Sequence, residues 1–166
     1  MKTLVLILLL SISVFTQESK ETLYSRGMRA CLDKEFESYA KFSERDLRNV
    51  FVAYDLFITR EMPIQFGETR VQYLGDYEMA EKYKALPKAK RERGIPYIKI
   101  FPLSDKEDKL LFAYNNYWFT YSEKVGFFSQ KKFMYGHALE GGCHAYFGFD
   151  PEYKRFIIEK VKLWGV

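Results

Sequence analysis

The chain has 166 residues, enough for one domain that buries a sizeable core without help from metals or many cross-links. Its formal net charge of +4 is too small to indicate a nucleic-acid-binding protein, and we expect no nucleic acid among its partners. Aromatic residues make up 18% of the sequence, which excludes a disordered chain, because aromatic burial offsets the entropy lost on folding.

The first 17 residues have the layout of a secretory signal peptide. Lys2 precedes an apolar run from Leu4 to Leu10, and small and polar residues follow that run. The run is shorter than the roughly 20 apolar residues that a membrane-spanning helix needs. We therefore expect residues 18–166 to form a single secreted, extracellular domain that has no stable membrane span once the signal is removed.

The segment that follows the signal has mainly helical spacing of its apolar residues. Leu32, Phe36 and Tyr39 would share one face of a first helix, with Cys31 at its start. A second helix is predicted after Ser43, because Ser43-x-x-Asp46 is a capping pattern. A strand is the alternative for residues 50–58, in which apolar side chains also alternate with a period of two.

The middle of the chain predicts a strand, a helix and a loop. The strand covers Arg70 to Leu74. The helix begins with Asp76 as its cap and ends before Pro87. The strongly polar segment from Pro87 to Gly94 is predicted to be an exposed loop.

From Ile95 onward the sequence predicts extended structure. Ile95 to Phe101 alternates as a strand, and the run from Leu110 to Tyr121 predicts two strands joined by a hairpin turn at Asn115-Asn116. Further extended runs are predicted at three places: Gly126–Phe128, Lys132–Tyr135 and Cys143–Phe149. The predicted fold is therefore α+β, with a helical first half packed on a mainly antiparallel sheet from the second half.

The last segment has two interpretations. Asp150-Pro151 is a favourable start for a helix, since Asp caps well and Pro is favoured at the first helical position. The same pair also begins type I turns, which would make Lys154 to Leu163 a closing strand.

Cys31 and Cys143 are the only cysteines of the chain. In an oxidising compartment two cysteines in a small domain most simply form a disulfide. A bridge over so long a loop would stabilise the fold by about 4 to 5 kcal/mol in chain-entropy models.

The sequence Gly136-His-Ala-Leu-Glu-Gly-Gly-Cys-His144 contains both histidines and one cysteine. A secreted enzyme using His137, Glu140 and His144 is therefore an alternative function. A zinc site would need three converging ligands, whereas adjacent residues on a strand point to opposite faces. We expect no metal and no cofactor here.

Lys90-Arg91 is a pair of basic residues in the predicted exposed loop. Such pairs resemble the recognition sequence of dibasic-cutting processing proteases. A precursor cut after Arg91 into a two-chain factor is thus a second alternative, while a solvated charge run is the ordinary interpretation.

Aromatic side chains are concentrated on the predicted hairpin, on both of its faces. Core packing accounts for one face, and a second aromatic face suits a ligand or a protein contact. We expect a secreted, non-catalytic protein that binds an apolar small ligand or a protein partner. The predicted binding residues are Tyr114, Tyr117, Trp118, Phe119 and Tyr121.

Overall fold

The computed structural model describes residues 23–38, 47–60, 62–106, 108–125 and 131–165. These residues form an α+β structure with a mostly antiparallel sheet, as predicted. The predicted signal peptide, Tyr39, the capping pattern at Ser43 and the extended run at Gly126–Phe128 lie outside the described residues.

The first helix, α1, covers residues 23–38. The remaining elements, in chain order, are β1 (Asn49–Ala53), β2 (Gln65–Phe66), β3 (Thr69–Leu74), α2 (Asp76–Ala85), α3 (Lys88–Arg91), β4 (Ile95–Ile100), β5 (Ser104–Lys106), β6 (Lys109–Val125), β7 (Lys131–Asp150) and β8 (Arg155–Trp164).

The strands lie in the order β2-β3-β1-β4-β6-β7-β8, and β5 pairs with β6. Strands β3, β1 and β4 are parallel, so the chain must cross over between β3 and β4, and α2 lies in that crossover. The remaining pairs, from β4 to β8, are antiparallel. The predicted helical first half is observed only in part, because it supplies β1, β2 and β3 as well as its helices.

Helix α1 packs on one face of the sheet through residues one turn apart. Gly27, Cys31 and Glu35 are each buried. A Cβ atom at Gly27 would lie 2.4 Å from Cγ of Phe112, so glycine allows α1 to approach β6 closely. Phe36, which was predicted on the buried face, is 36% exposed instead.

Helix α2 packs on the opposite face. Its buried residues Met79 and Ala80 belong to a second apolar cluster with Tyr97, Phe119 and Tyr121. Successive side chains of a strand point to opposite sides, so the sheet presents one face to α1 and the other to α2. On β6 this alternation sends one set of aromatic residues under α1 and the other toward α2.

The segment predicted as a second helix contains β1 and a turn. Val50 and Val52 are buried in the apolar cluster that contains Met28, Cys31 and Leu32 of α1, which we call the α1 cluster. Phe51 and Ala53 pack against the second cluster, that of Met79 and Ala80, which we call the α2 cluster. A strand covered on both faces needs apolar residues at consecutive positions, and such a run also fits helical spacing. The strand interpretation was correct up to Ala53 only.

The predicted hairpin turn at Asn115-Asn116 is wrong, because β6 runs through both residues. Opposite them on β7 lie Gly142 and Gly141. Asn116 points into the protein and bonds to Glu35, while the Asn115 amide lies 3.3 Å from the hydroxyl of Tyr117. The two asparagines thus serve side-chain contacts within the sheet.

The ambiguous last segment is the strand β8. Asp150 Oδ1 accepts hydrogen bonds from the backbone N–H groups of Glu152 and Tyr153, which fixes a turn. Lys154, at a φ of 50°, then leads into β8. The turn interpretation of Asp150-Pro151 was therefore the correct one.

Among the described residues, no helix is both long and apolar enough to cross a lipid bilayer.

Candidate functional site

The predicted disulfide is present. Cys31 on α1 and Cys143 on β7 are bonded, with their Cα atoms 5.9 Å apart, and the two residues are 112 positions apart in sequence. Both residues are fully buried, and neither is a free thiol. Cys143 can therefore act neither as a thiolate nucleophile nor as a thiolate metal ligand.

The two histidines lie on the same face of the sheet but far apart. His137 pairs with Phe119 and His144 pairs with Ala113, which are six positions apart on β6 and hence separated by about 20 Å. Glu140 lies between them at a β-bulge. Within the described part of the chain, no group of three or more His, Cys, Asp or Glu side chains could hold a metal ion.

His137 forms a hydrogen bond with Tyr97. Its Nδ1 atom lies 2.7 Å from the Tyr97 hydroxyl, and its ring contacts the rings of Tyr97 and Phe119. Burial, followed by the nearby Tyr117 and Asp76, raises the pKa of Tyr97 to about 12. The Tyr97 hydroxyl therefore stays protonated at neutral pH and suits a hydrogen-bond donor better than a general base.

His144 lies between two other rings, those of Tyr146 and Trp164, with centroid distances of 6.2 and 6.4 Å. Its pKa is lowered, first by burial and then by the positive charges of Lys106 and Lys162. The two histidines thus contact different residues. This arrangement does not fit a pair of catalytic histidines that act on one substrate.

Of the predicted binding residues, three belong to the core. Tyr114 is fully buried in the α1 cluster, and Phe119 and Tyr121 are buried in the α2 cluster. Tyr117 and Trp118 are partly exposed, on opposite faces of β6. Tyr117 stacks on Tyr97 with ring centroids 5.5 Å apart, and the Arg93 guanidinium lies 5.9 Å from the Trp118 ring.

The face of the sheet that α2 covers continues beyond that helix. There it carries a row of exposed and partly exposed side chains on β6, β7 and β8. Their pairing positions place them on one face, since they lie opposite or beside Phe119, Tyr117, Asn115, Ala113 and Leu111 of β6. We call this set the open aromatic strip: Tyr117, His137, Leu139, His144, Tyr146 and Trp164.

Gly142 determines how Trp164 lies in the open aromatic strip. The two residues pair across β7 and β8, and a Cβ atom at Gly142 would lie 2.8 Å from Nε1 of Trp164. The same Cβ would lie 2.3 Å from the backbone oxygen of Tyr114. Only glycine leaves room for the indole to lie against the sheet at this point.

Arg91, half of the predicted processing site, has a structural role. Its Nε atom donates to the backbone oxygen of Leu86 at 2.9 Å, and Nη2 donates to that of Lys84 at 2.5 Å. These bonds satisfy carbonyls at the end of α2. Cleavage after Arg91 would require these bonds to break and the short helix α3, which contains Lys90, to unwind.

Comparison of the chain with models of known protein families, with curated proteins and with solved structures gives no match in any of the three.

Proposed function

We propose that this is a secreted, non-catalytic binding protein and that the open aromatic strip is its binding surface. The observation that carries the proposal is the row of accessible rings on an ordered sheet. The rings of Trp164 and Tyr146 each contact the ring of His144. The ring of Tyr117 stacks on the buried Tyr97, which holds it in place. Rigid aromatic surfaces bind apolar ligands with little loss of side-chain entropy.

Two features favour binding over catalysis. The only thiol or hydroxyl nucleophile in the sequence from Gly136 to His144 is Cys143, and it is held in a buried disulfide. His137 and His144 are too far apart to act together on one bond. A buried disulfide also fits an oxidising compartment, which supports the proposed secretion.

The test uses phenylnaphthylamine, a neutral probe that fluoresces in apolar surroundings. We expect saturable binding to the folded protein and a loss of affinity of about tenfold or more in Trp164→Ala, because an aromatic anchor contributes more than about 1.4 kcal/mol. The matched control is Trp118→Ala, which removes the same side chain from the opposite face and should leave the affinity unchanged.

Circular dichroism and urea unfolding establish that both variants are folded. The proposal fails if the folded protein binds no probe, or if the two tryptophan variants lose affinity equally.

A further inference from the structure

Four lysines surround the open aromatic strip on its own face of the sheet. Lys99 pairs with Asn115, Lys162 pairs with His144, and Lys160 pairs with Tyr146, so that each lies in the same row as residues of the strip. The fourth, Lys106 on β5, pairs with Lys109 of β6, which lies on the same face as Leu111 and Ala113, and its charge lowers the pKa of His144. All four are exposed.

These positive charges are not paired with carboxylates within the described part of the chain. Lys109, on the same face, is bonded to Glu159, whereas Lys99, Lys106, Lys160 and Lys162 form no ion pair there. Like charges around an apolar surface repel one another, and a bound anion would relieve that repulsion.

The middle of the strip is a short row of rings. The Trp164 indole lies over Gly142, and the His144 ring lies between the rings of Trp164 and Tyr146. A row of three rings matches a flat body of one or two rings better than an extended macromolecular surface.

Accepting the proposed binding function, we infer that the ligand is a small amphipathic anion, with a flat apolar body on the rings of Trp164 and Tyr146 and a carboxylate, sulfate or phosphate group facing Lys106 and Lys162. The rings supply the apolar contact and the lysines supply the preference for negative charge. Charge complementarity is what selects this class over neutral or cationic ligands of the same shape.

The test compares two probes that differ by one anionic group, anilinonaphthalene sulfonate and the neutral phenylnaphthylamine. We expect the wild-type protein to bind the sulfonate about tenfold more tightly at low salt, and the ratio to shrink as salt screens the lysines. In the double variant Lys106→Gln, Lys162→Gln, the ratio should fall to near one while the neutral probe binds as before.

The control is the double variant Lys88→Gln, Lys90→Gln on α3, which removes the same charge from an exposed site on a different element. It should keep the wild-type preference. Equal affinities of the wild-type protein for both probes would overturn the anionic ligand while leaving the binding function intact. Absence of binding by either probe overturns both. Displacement of the sulfonate by an acidic peptide at lower concentration than by small aromatic carboxylates would also overturn a small-molecule ligand.

Discussion

Asn116 on β6 donates a hydrogen bond of 2.7 Å to Glu35 on α1, and each residue is only 1% exposed. The bond lies one helical turn beyond Cys31 and is thus a second tie between α1 and the sheet. The remaining oxygens, Oε2 of Glu35 and Oδ1 of Asn116, have no hydrogen-bond partner among the described residues. Two buried acceptors without donors cost about 1 to 3 kcal/mol each.

Glu35→Gln should therefore stabilise the protein. The amide of the new side chain supplies an N–H donor that Asn116 Oδ1 lacks, and its oxygen can still accept from Asn116 Nδ2. We expect the free energy of unfolding to rise by about 1 to 2 kcal/mol, measured as a higher urea midpoint at unchanged slope. Asn116→Ala, which removes the donor to Glu35, should lower it by about 1 to 3 kcal/mol. A lower midpoint for Glu35→Gln would contradict this account.

Removing the disulfide should destabilise the same interface more strongly. In Cys31→Ala, Cys143→Ala the unfolded chain regains the freedom of a loop spanning 112 positions, which chain-entropy models value at about 4 to 5 kcal/mol. Urea unfolding measures the loss. The intact mass of the wild-type protein should rise by two hydrogens on reduction, and a mass that does not change would mean that both thiols are free.

The disulfide and the hydrogen bond between Glu35 and Asn116 show which contacts could be predicted from the sequence and which could not. The disulfide was predictable, because a chain with only two cysteines offers one pairing. The bond between Glu35 and Asn116 was not, because the residues are far apart in sequence and an Asn-Asn pair is also typical of turns. The strand near Arg70, the helix beginning at Asp76 and the strand beginning at Ile95 were correct, since their local patterns agree with their surroundings.

The open aromatic strip was largely missed for a related reason. Tyr117 was predicted, but Tyr146 and Trp164 were not placed beside it. Their alignment depends on the pairing of β6, β7 and β8 and on two irregularities in that pairing, one after Asn116 and one after Tyr146. Cross-strand register at such bulges is set by tertiary structure, and periodicity along one strand does not reveal it.

Arg91 provides a third prediction. Arg91→Ala removes two hydrogen bonds to carbonyls at the end of α2, so we expect the free energy of unfolding to fall by about 1 kcal/mol, a modest loss because the site is exposed. Lys90→Ala, on the same short helix, is the control and should change it little. Equal effects of the two substitutions would count against the capping role.

His144, in the open aromatic strip, makes the stability of the folded protein depend on pH. Burial, Lys106 and Lys162 all lower its pKa from the ordinary 6.5, so the folded protein disfavours the charged imidazole relative to the unfolded chain. Between the lowered pKa and 6.5 the unfolded chain binds the proton and the folded protein does not. Stability from this group is therefore complete above pH 6.5 and is lost as the pH falls through the folded pKa.

His144→Gln should remove this loss, because glutamine stays neutral throughout. We expect the free energy of unfolding of the wild-type protein to fall more than that of the variant between about pH 7.5 and about pH 5, in urea unfolding at fixed ionic strength. Lys106→Gln, Lys162→Gln should lie between the two, since it removes the two charges but leaves His144 as buried as before. An identical pH dependence in wild-type protein and His144→Gln would show that the folded and unfolded states bind this proton equally well.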